Sequence, residues 1–223
     1  MSTRVGPSTH CMIFDCAPML LRPFAAIAVT LLTLGAAAAR ADALDDAGAQ
    51  HFADQVVRAH DAGGRAFAVV DKPSATLWVF DRQGRALGRS PVLVGQAPGD
   101  VAPPDIGTRP LARVKPSEKI TAAGRYITEA GRNAQGEDIV WLDYDAALSM
   151  HRVRHVPGEH RPERLRTPGA ADKRISFGCI NVPERFYDRT IDPLFSRSRG
   201  VVYVLPETRA LGQVFDFVRG SDR

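Results

Sequence analysis

The sequence predicts a mainly β fold in which the strands run antiparallel, with short helices flanking them. Short apolar runs recur along most of the chain, and segments rich in proline, glycine and aspartate separate them. This spacing is typical of strands joined by turns, and it favours antiparallel pairing. Apolar residues at helical spacing are found just after residue 41 and again near the C-terminal end. The 223 residues, of which 44% are hydrophobic, suffice for one domain with a modest extension.

Residues 1–41 are predicted to be a leader that contains a signal peptide. Arg22 precedes an apolar run at 24–39, which ends in an Ala-Arg-Ala site at 39–41. A basic residue, a short apolar core and such a site are typical of a cleaved secretory signal. The run has about 16 residues, fewer than the roughly 20 that span a bilayer, so no stable membrane anchor is expected after cleavage. Met19 is a second candidate start, and the mature protein is expected in the periplasm or cell envelope.

Cleavage of the predicted leader would also change the number of cysteines in the mature protein. Cys11 and Cys16 lie within it, so the mature protein would keep only Cys179. A lone cysteine in an oxidising compartment has no internal disulfide partner. It is then either an inert buried side chain or a thiol kept for its chemistry.

The elements before the cysteine are predicted as follows. Residues 42–64 form a helical extension, because Phe52, Val56 and Val57 share one helical face and two glycines end the pattern. The period then changes to that of strands, which are predicted at 66–70, 76–80, 90–95, 126–128, 138–143 and 146–151. The prolines and glycines between 96 and 119 predict an irregular loop.

The elements after the cysteine complete one domain at 65–206 and add a terminal helix. Residues 184–188 predict a helical turn, and 201–205 predict a buried strand that stops at a proline. Residues 207–223 are predicted to form a closing helix. Its apolar face comprises Leu211, Val214, Phe215 and Val218.

A basic segment at 152–174 stands out in composition. It carries seven Lys and Arg residues, and its prolines and glycines forbid long regular structure. The whole chain has a formal charge of +4, which suits carboxylate-rich or polyanionic neighbours. Zinc-finger spacing, a glycine-rich phosphate loop and aromatic-basic interleaving are absent from the sequence, so nucleic-acid binding is not expected. The segment is either a carboxylate-binding loop or a solvated charged surface.

Cys179 lies in a Ser-x-Gly-Cys-Ile-Asn motif whose residue types suit nucleophilic catalysis. A thiol attacks as its thiolate, so it needs a base, and His151 ends a predicted strand 28 positions upstream. Gly178 permits a tight turn in which backbone N–H groups are candidates for holding an oxyanion. Ser176 can form a hydrogen bond within that turn. Asn181 offers a donor to the substrate or to the turn, although both it and Ser176 are also ordinary turn residues.

This motif, with a histidine at the end of an upstream strand, resembles the active-site signature of the L,D-transpeptidases (the YkuD-like catalytic domain). The resemblance covers most of 66–205, including a Thr-Ala-Ala-Gly-Arg-Tyr element at 121–126. It implies an antiparallel β-sandwich, with Cys179 as nucleophile and His151 as general base. The remaining site residues that it implies are Ser176, Gly178 and Asn181, which shape the site, with Asn181 toward the substrate. Phe177, Arg152 and Arg174 are further substrate-binding candidates, because they lie beside these catalytic residues in the sequence.

The sequence departs from the family pattern at three points. Arg152 stands where glycine often follows the histidine, and Phe177 stands where histidine often precedes the glycine. The separation between histidine and cysteine is also longer than is common in the family. His160 fits the common spacing better, and His155 is a further rival, but the strand context favours His151.

The resemblance implies a reaction as well. Cys179 would attack the carbonyl before the terminal D-alanine of a peptidoglycan tetrapeptide stem, and an amine on a second stem would resolve the resulting thioester. This ping-pong chemistry needs no metal and no organic cofactor, and none is expected. The alternatives are a carboxypeptidase or amidase-like hydrolase, in which water resolves the thioester, and a non-catalytic wall-binding module.

Overall fold

The computed structural model describes residues 42–220 of the chain. The predicted leader, including its signal peptide, its alternative start and its two cysteines, lies outside the described residues, as do the last three residues of the predicted terminal helix. The described part is mostly sheet with a few short helices, and none of its several sheets is closed. No helix within it is long and apolar enough to cross a membrane.

The predicted N-terminal helix is present as α1 (Asp46–Arg58). Asp45 caps it, since its side chain accepts a hydrogen bond of 2.7 Å from the N–H of Gly48. Phe52 and Val56 are buried on the face that the sequence predicts, and they join a cluster of aromatic and aliphatic side chains. Burial of this face, rather than helix propensity, is the main source of stability for a helix of 13 residues.

Eleven strands and two further short α-helices follow α1 among the described residues. The strands are β1 (Phe67–Asp71), β2 (Thr76–Phe80), β3 (Ala86–Pro91), β4 (Val94–Gly95), β5 (Gly124–Ile127), β6 (Glu129–Arg132), β7 (Asp138–Asp143), β8 (Leu148–Arg152), β9 (Arg174–Ser176), β10 (Ile180–Val182) and β11 (Val201–Val204). The helices are α2 (Arg161–Arg164) and α3 (Glu184–Phe186), and α3 continues into a π-helical segment at Tyr187–Ser196.

The strands form three sheets, with orders β3-β2-β1-β11-β5, β10-β8-β7-β6 and β4-β9. The predicted purely antiparallel arrangement is wrong at three pairs, because β1 pairs with β11, β8 with β10 and β4 with β9 in parallel. Each parallel pair joins strands that are distant in sequence, and local spacing cannot reveal such pairs. One buried cluster contains side chains from both larger sheets, while a second covers the other face of β1. The strand is therefore apolar from Phe67 to Val70, and Asp71 ends it.

Two predicted elements differ from the structure. The single strand expected at 90–95 is divided between β3 and β4, which belong to different sheets. The expected terminal α-helix is replaced by two 3₁₀ segments, Leu211–Gln213 and Asp216–Gly220. Phe215 and Phe217 both pack on Phe52, with ring centroids 5.5 and 5.7 Å away. Residues two apart do not share a face of an α-helix, so this packing excludes the regular helix.

A buried ion network connects the segment between β4 and β5 to the rest of the domain. Lys72 is fully buried, and its Nζ donates to the carboxylate of Asp100 at 2.8 Å and to the carbonyl of Thr121 at 3.1 Å. Asp100 also accepts backbone N–H bonds from Glu207 at 2.8 Å and Thr208 at 2.9 Å. Burial alone would raise the pKa of Asp100, but these hydrogen bonds hold it well below its usual range.

This network predicts a large effect of removing its cation. In a Lys72→Ala variant, Asp100 would keep its charge in a buried site without its close counter-ion, because the partly exposed Arg209 lies 3.7 Å away. Loss of a buried partner of this kind costs about 3–5 kcal/mol of unfolding free energy. The matched control is Arg85→Ala, because Arg85 pairs with Asp81 while its side chain is 79% exposed. An exposed pair of this kind contributes about 1 kcal/mol or less. Urea denaturation that gave equal losses for the two variants would contradict the prediction.

Candidate active site

The parallel pair of β8 and β10 brings the predicted catalytic residues to one face. Asn181 lies opposite His151 in the register, and Cys179 immediately precedes β10. Because alternate residues of a strand share a face, Cys179 lies on the same face as Asn181, and Ser149 on the same face as His151. The four residues lie beside a cleft of about 310 Å³, which Cys179, His151 and Asn181 line together with Ser176 and Phe177.

The thiol of Cys179 is partly exposed at this cleft. Its Sγ accepts a hydrogen bond from the Oγ of Ser149 at 3.4 Å and donates to the carbonyl of Ala147 at 3.3 Å. Ala147 has a φ of 50°, a left-handed conformation that is uncommon for a residue with a Cβ. Neither partner is predictable from the sequence, because neither a single serine in a strand nor a strained alanine in a turn carries a recognisable pattern.

His151 is held in its neutral form with one nitrogen available as a base. Its Nδ1 lies 2.7 Å from the carbonyl oxygen of Arg152, which can only accept, so Nδ1 carries the proton. The Nε2 is therefore unprotonated and accepts from the side-chain amide of Asn181 at 3.4 Å. Burial, reinforced by the positive charges of Arg154 and Arg161, lowers the pKa of His151 to about 4. The ring is consequently neutral at pH 7.

Asn181 is fully buried, and its amide group is fixed at both ends. The Oδ1 accepts from the Nη1 of Arg161 at 2.9 Å, so the Nδ2 must face the other way. That Nδ2 donates to the carbonyl of Cys179 at 3.2 Å as well as to His151. Arg161 is held in turn by the carboxylate of Glu159. The chain of contacts from Glu159 to His151 therefore positions the base, and the basic composition of the segment did not reveal it.

The turn before Cys179 requires glycine at position 178. Gly178 has a φ of 135°, and a Cβ there would lie 2.8 Å from the carbonyl oxygen of Ile120. Its N–H donates to the Oγ of Ser176 at 3.1 Å, which is the hydrogen bond within the turn that the sequence predicts. Its carbonyl accepts from the Oγ1 of Thr121 at 2.6 Å. Since the Gly178 N–H is already engaged, the N–H of Cys179 itself is the remaining oxyanion donor suggested by the motif.

The three other predicted substrate-binding residues have different surroundings. Phe177 lines the cleft, and the Nζ of Lys119 lies 3.8 Å from its ring centroid. Arg152 faces away from His151, because neighbouring residues of a strand point to opposite faces, and its charge is paired with Asp138 and Asp188. Arg174 is paired with Glu207. Both arginines are thus paired with carboxylates of this protein, and neither lines the cleft of Cys179.

The rival histidines lie apart from Cys179. His160 is exposed immediately before α2, and His155 is exposed in the same segment. Neither lines the cleft, whereas His151 does. His155 instead borders a neighbouring groove of about 460 Å³, together with Arg152 and Glu184. Of these three histidines, His151 is therefore the one that lines the cleft with Cys179.

Two comparisons with known proteins give no match that bears on the site. A scan against protein-family models finds none that matches the chain, and a search of curated proteins finds no match. Within residues 42–220, no group of three or more histidine, cysteine, aspartate or glutamate side chains is arranged to hold a metal ion. The resemblance to the L,D-transpeptidases remains a prediction from the motif residues.

The lowered pKa of His151 predicts a pH dependence of stability. The folded protein keeps the ring neutral down to about pH 4, whereas the unfolded chain takes up a proton near 6.5. Stability is therefore lost as the pH falls through this window, by about 2 kcal/mol between pH 7 and pH 5. Urea denaturation at both pH values measures the loss.

A pair of variants isolates this contribution from that of other titrating groups. His151→Gln is expected to lose about 2 kcal/mol less than the wild type between pH 7 and pH 5, since it has no ring to protonate. His155→Gln, an exposed histidine of the same segment, is expected to follow the wild type. Identical pH dependence in His151→Gln and the wild type would show that the ring titrates normally.

Proposed function

We propose that this protein is a cysteine acyltransferase of the L,D-transpeptidase type, acting on the tetrapeptide stems of peptidoglycan. One observation carries the proposal: the thiol of Cys179 and an unprotonated Nε2 of His151 lie on one face of the β8–β10 pair and line one cleft. This arrangement suits attack on a carbonyl carbon. The substrate class comes from the resemblance of the Cys179 motif.

The first half-reaction breaks the peptide bond to the terminal D-alanine. The Sγ of Cys179 bonds to the carbonyl carbon, and the thiol proton passes to the Nε2 of His151. In the resting site this proton points to Ala147, so it is redirected when substrate binds. The N–H of Cys179 faces the developing oxyanion. When the C–N bond breaks, His151 returns the proton to the leaving amine, and a thioester remains.

The second half-reaction transfers the acyl group to an amine. The amine attacks the thioester carbonyl, His151 accepts its proton, and the thiol of Cys179 leaves with that proton. Because His151 has a pKa of about 4, it acts as a transient general base and not as the cation of a stable thiolate–imidazolium pair. Transfer to water in place of the amine would give the hydrolase on the same site.

Two broader expectations belong to this proposal. The domain is an L,D-transpeptidase-like β-sandwich, which the buried cluster common to both larger sheets supports. Its location in the periplasm or cell envelope follows from the predicted signal peptide at 1–41. Peptidoglycan stem peptides would then be its partners.

The reaction is tested with purified protein and tetrapeptide muropeptides, followed by mass spectrometry. Release of D-alanine together with cross-linked dimers is expected from the wild type. Cys179→Ala should give neither product, because the thioester cannot form. D-alanine release without dimers would identify the hydrolase, and an unchanged substrate in both samples would refute the proposed reaction on this substrate.

Ser149 is expected to assist the nucleophile. Its hydroxyl donates to the Sγ of Cys179 at 3.4 Å, a contact that stabilises the thiolate more than the thiol. Ser149→Ala should therefore lower the rate of D-alanine release by roughly tenfold, the loss of about one hydrogen bond to a charged group. Alkylation of Cys179 by iodoacetamide should slow in parallel. Ser198→Ala, an exposed serine distant in sequence, serves as the control, and equal rates in the two variants would exclude this role.

A further inference from the structure

The charged side chains that line the cleft of Cys179 are both arginines, Arg154 and Arg161. No carboxylate of the described residues lines it, and the ring of His151 is neutral at pH 7. The lining therefore presents only positive charge beside the nucleophile. A cleft of one sign with low-dielectric walls concentrates ligands of the opposite charge.

Arg161 keeps one nitrogen available to a ligand. The residue is 8% exposed, its Nε contacts Glu159, and its Nη1 donates to Asn181 at 2.9 Å. Within residues 42–220, the Nη2 has no acceptor, yet it is not among the enclosed polar atoms that lack a partner. Because the side chain lines the cleft, the free N–H groups of Nη2 are open to it. A buried guanidinium with two fixed nitrogens and one free nitrogen is already oriented for an anion.

Much of the remaining lining of the cleft is apolar. Ile106, Leu111 and Val114 come from the loop at 96–119, and Phe177 precedes the nucleophile turn. Leu111 is 66% exposed, so a ligand in the cleft would find apolar surface to cover there. The cleft thus favours a ligand that has an aliphatic part as well as a negative group.

We propose that Arg161, supported by Arg154, forms an anion subsite that binds a carboxylate of the substrate close to the carbonyl that Cys179 attacks. The inference deepens the proposed function and rests on it for the role of Cys179. The substrate class is that of peptides whose free acid lies a few bonds from the scissile carbonyl. Glu159 and Glu137 already pair with the two arginines, so the remaining positive potential suits a carboxylate better than a phosphate dianion.

Alkylation of Cys179 tests the subsite without any peptidoglycan substrate. Iodoacetate and iodoacetamide have similar shapes, but only iodoacetate carries a carboxylate. With either reagent, the Sγ–C bond forms as the C–I bond breaks, iodide leaves, and the thiol proton passes to His151 or to buffer. The tryptic peptide 175–185 reports Cys179 separately from Cys11 and Cys16, and mass spectrometry follows its modification with time.

The ratio of the iodoacetate rate to the iodoacetamide rate is the measured quantity. Arg161→Gln is expected to lower this ratio about tenfold, since it removes a charge-assisted hydrogen bond to the carboxylate. Arg161→Lys keeps the charge and should give an intermediate ratio. Arg132→Gln removes the same charge from an exposed strand end and should leave the ratio unchanged. Any general damage to the site affects both reagents and cancels, so an unchanged ratio in Arg161→Gln would overturn the proposal.

A binding measurement separates failure of the subsite from failure of the proposed function. N-acetyl-D-alanine and its amide are titrated while NMR follows the side-chain amide of Asn181, which touches Arg161. The free acid alone is expected to shift this signal in the wild type, and the shift should weaken about tenfold in Arg161→Gln. Equal responses to acid and amide would overturn the subsite. A thiol that resists both alkylating reagents while the acid still binds would instead refute the reactive nucleophile.

Discussion

The parallel pairing of β8 with β10 is the constraint on which the site depends. Parallel strands cannot be joined by a tight turn and need a crossover of a dozen residues or more. The segment between His151 and Cys179 is that crossover, so their 28-position separation reflects topology and not distance in space. A shift of one residue in the register would turn Asn181 to the opposite face of the sheet. The packed side chains Met150 and Ile180 on that opposite face fix the register.

Thr121 links this register to the buried ion network. Its carbonyl accepts from Lys72, while its hydroxyl donates to the carbonyl of Gly178 and accepts from the N–H of Gly95. One residue therefore connects the charged interior to the turn that presents the nucleophile. Since Thr121 is 1% exposed, neither its carbonyl nor its hydroxyl can exchange these partners for water. The charges of Lys72 and Asp100 are distant from the chemistry in sequence, but they support its geometry.

Local pattern predicted most of the strands, the first helix and the tight turn at Gly178, because apolar periodicity and glycine report local conformation. It could not predict what depends on contacts between distant segments. The parallel pairs, the division of 90–95 between two sheets and the packing of Phe217 are of this kind. In the site, the motif identified Cys179 and its neighbours. The burial of Arg161 could not be predicted, because the composition of a basic segment indicates a solvated surface and does not show that Arg161 pairs with Asn181.

Arg154 and Arg161 both affect the pKa of His151, so a carboxylate bound at the anion subsite would also affect the base. Their positive charges add to burial in lowering the pKa of His151, which keeps the base free of protons but also makes it a weak one. A carboxylate bound at Arg161 would offset part of this positive potential, and the pKa of His151 would rise toward its ordinary value. The base would then become stronger when a substrate with the matching acid group occupies the cleft. Departure of that acid with the leaving group would reverse the change, so the subsite would couple substrate identity to proton transfer as well as to binding.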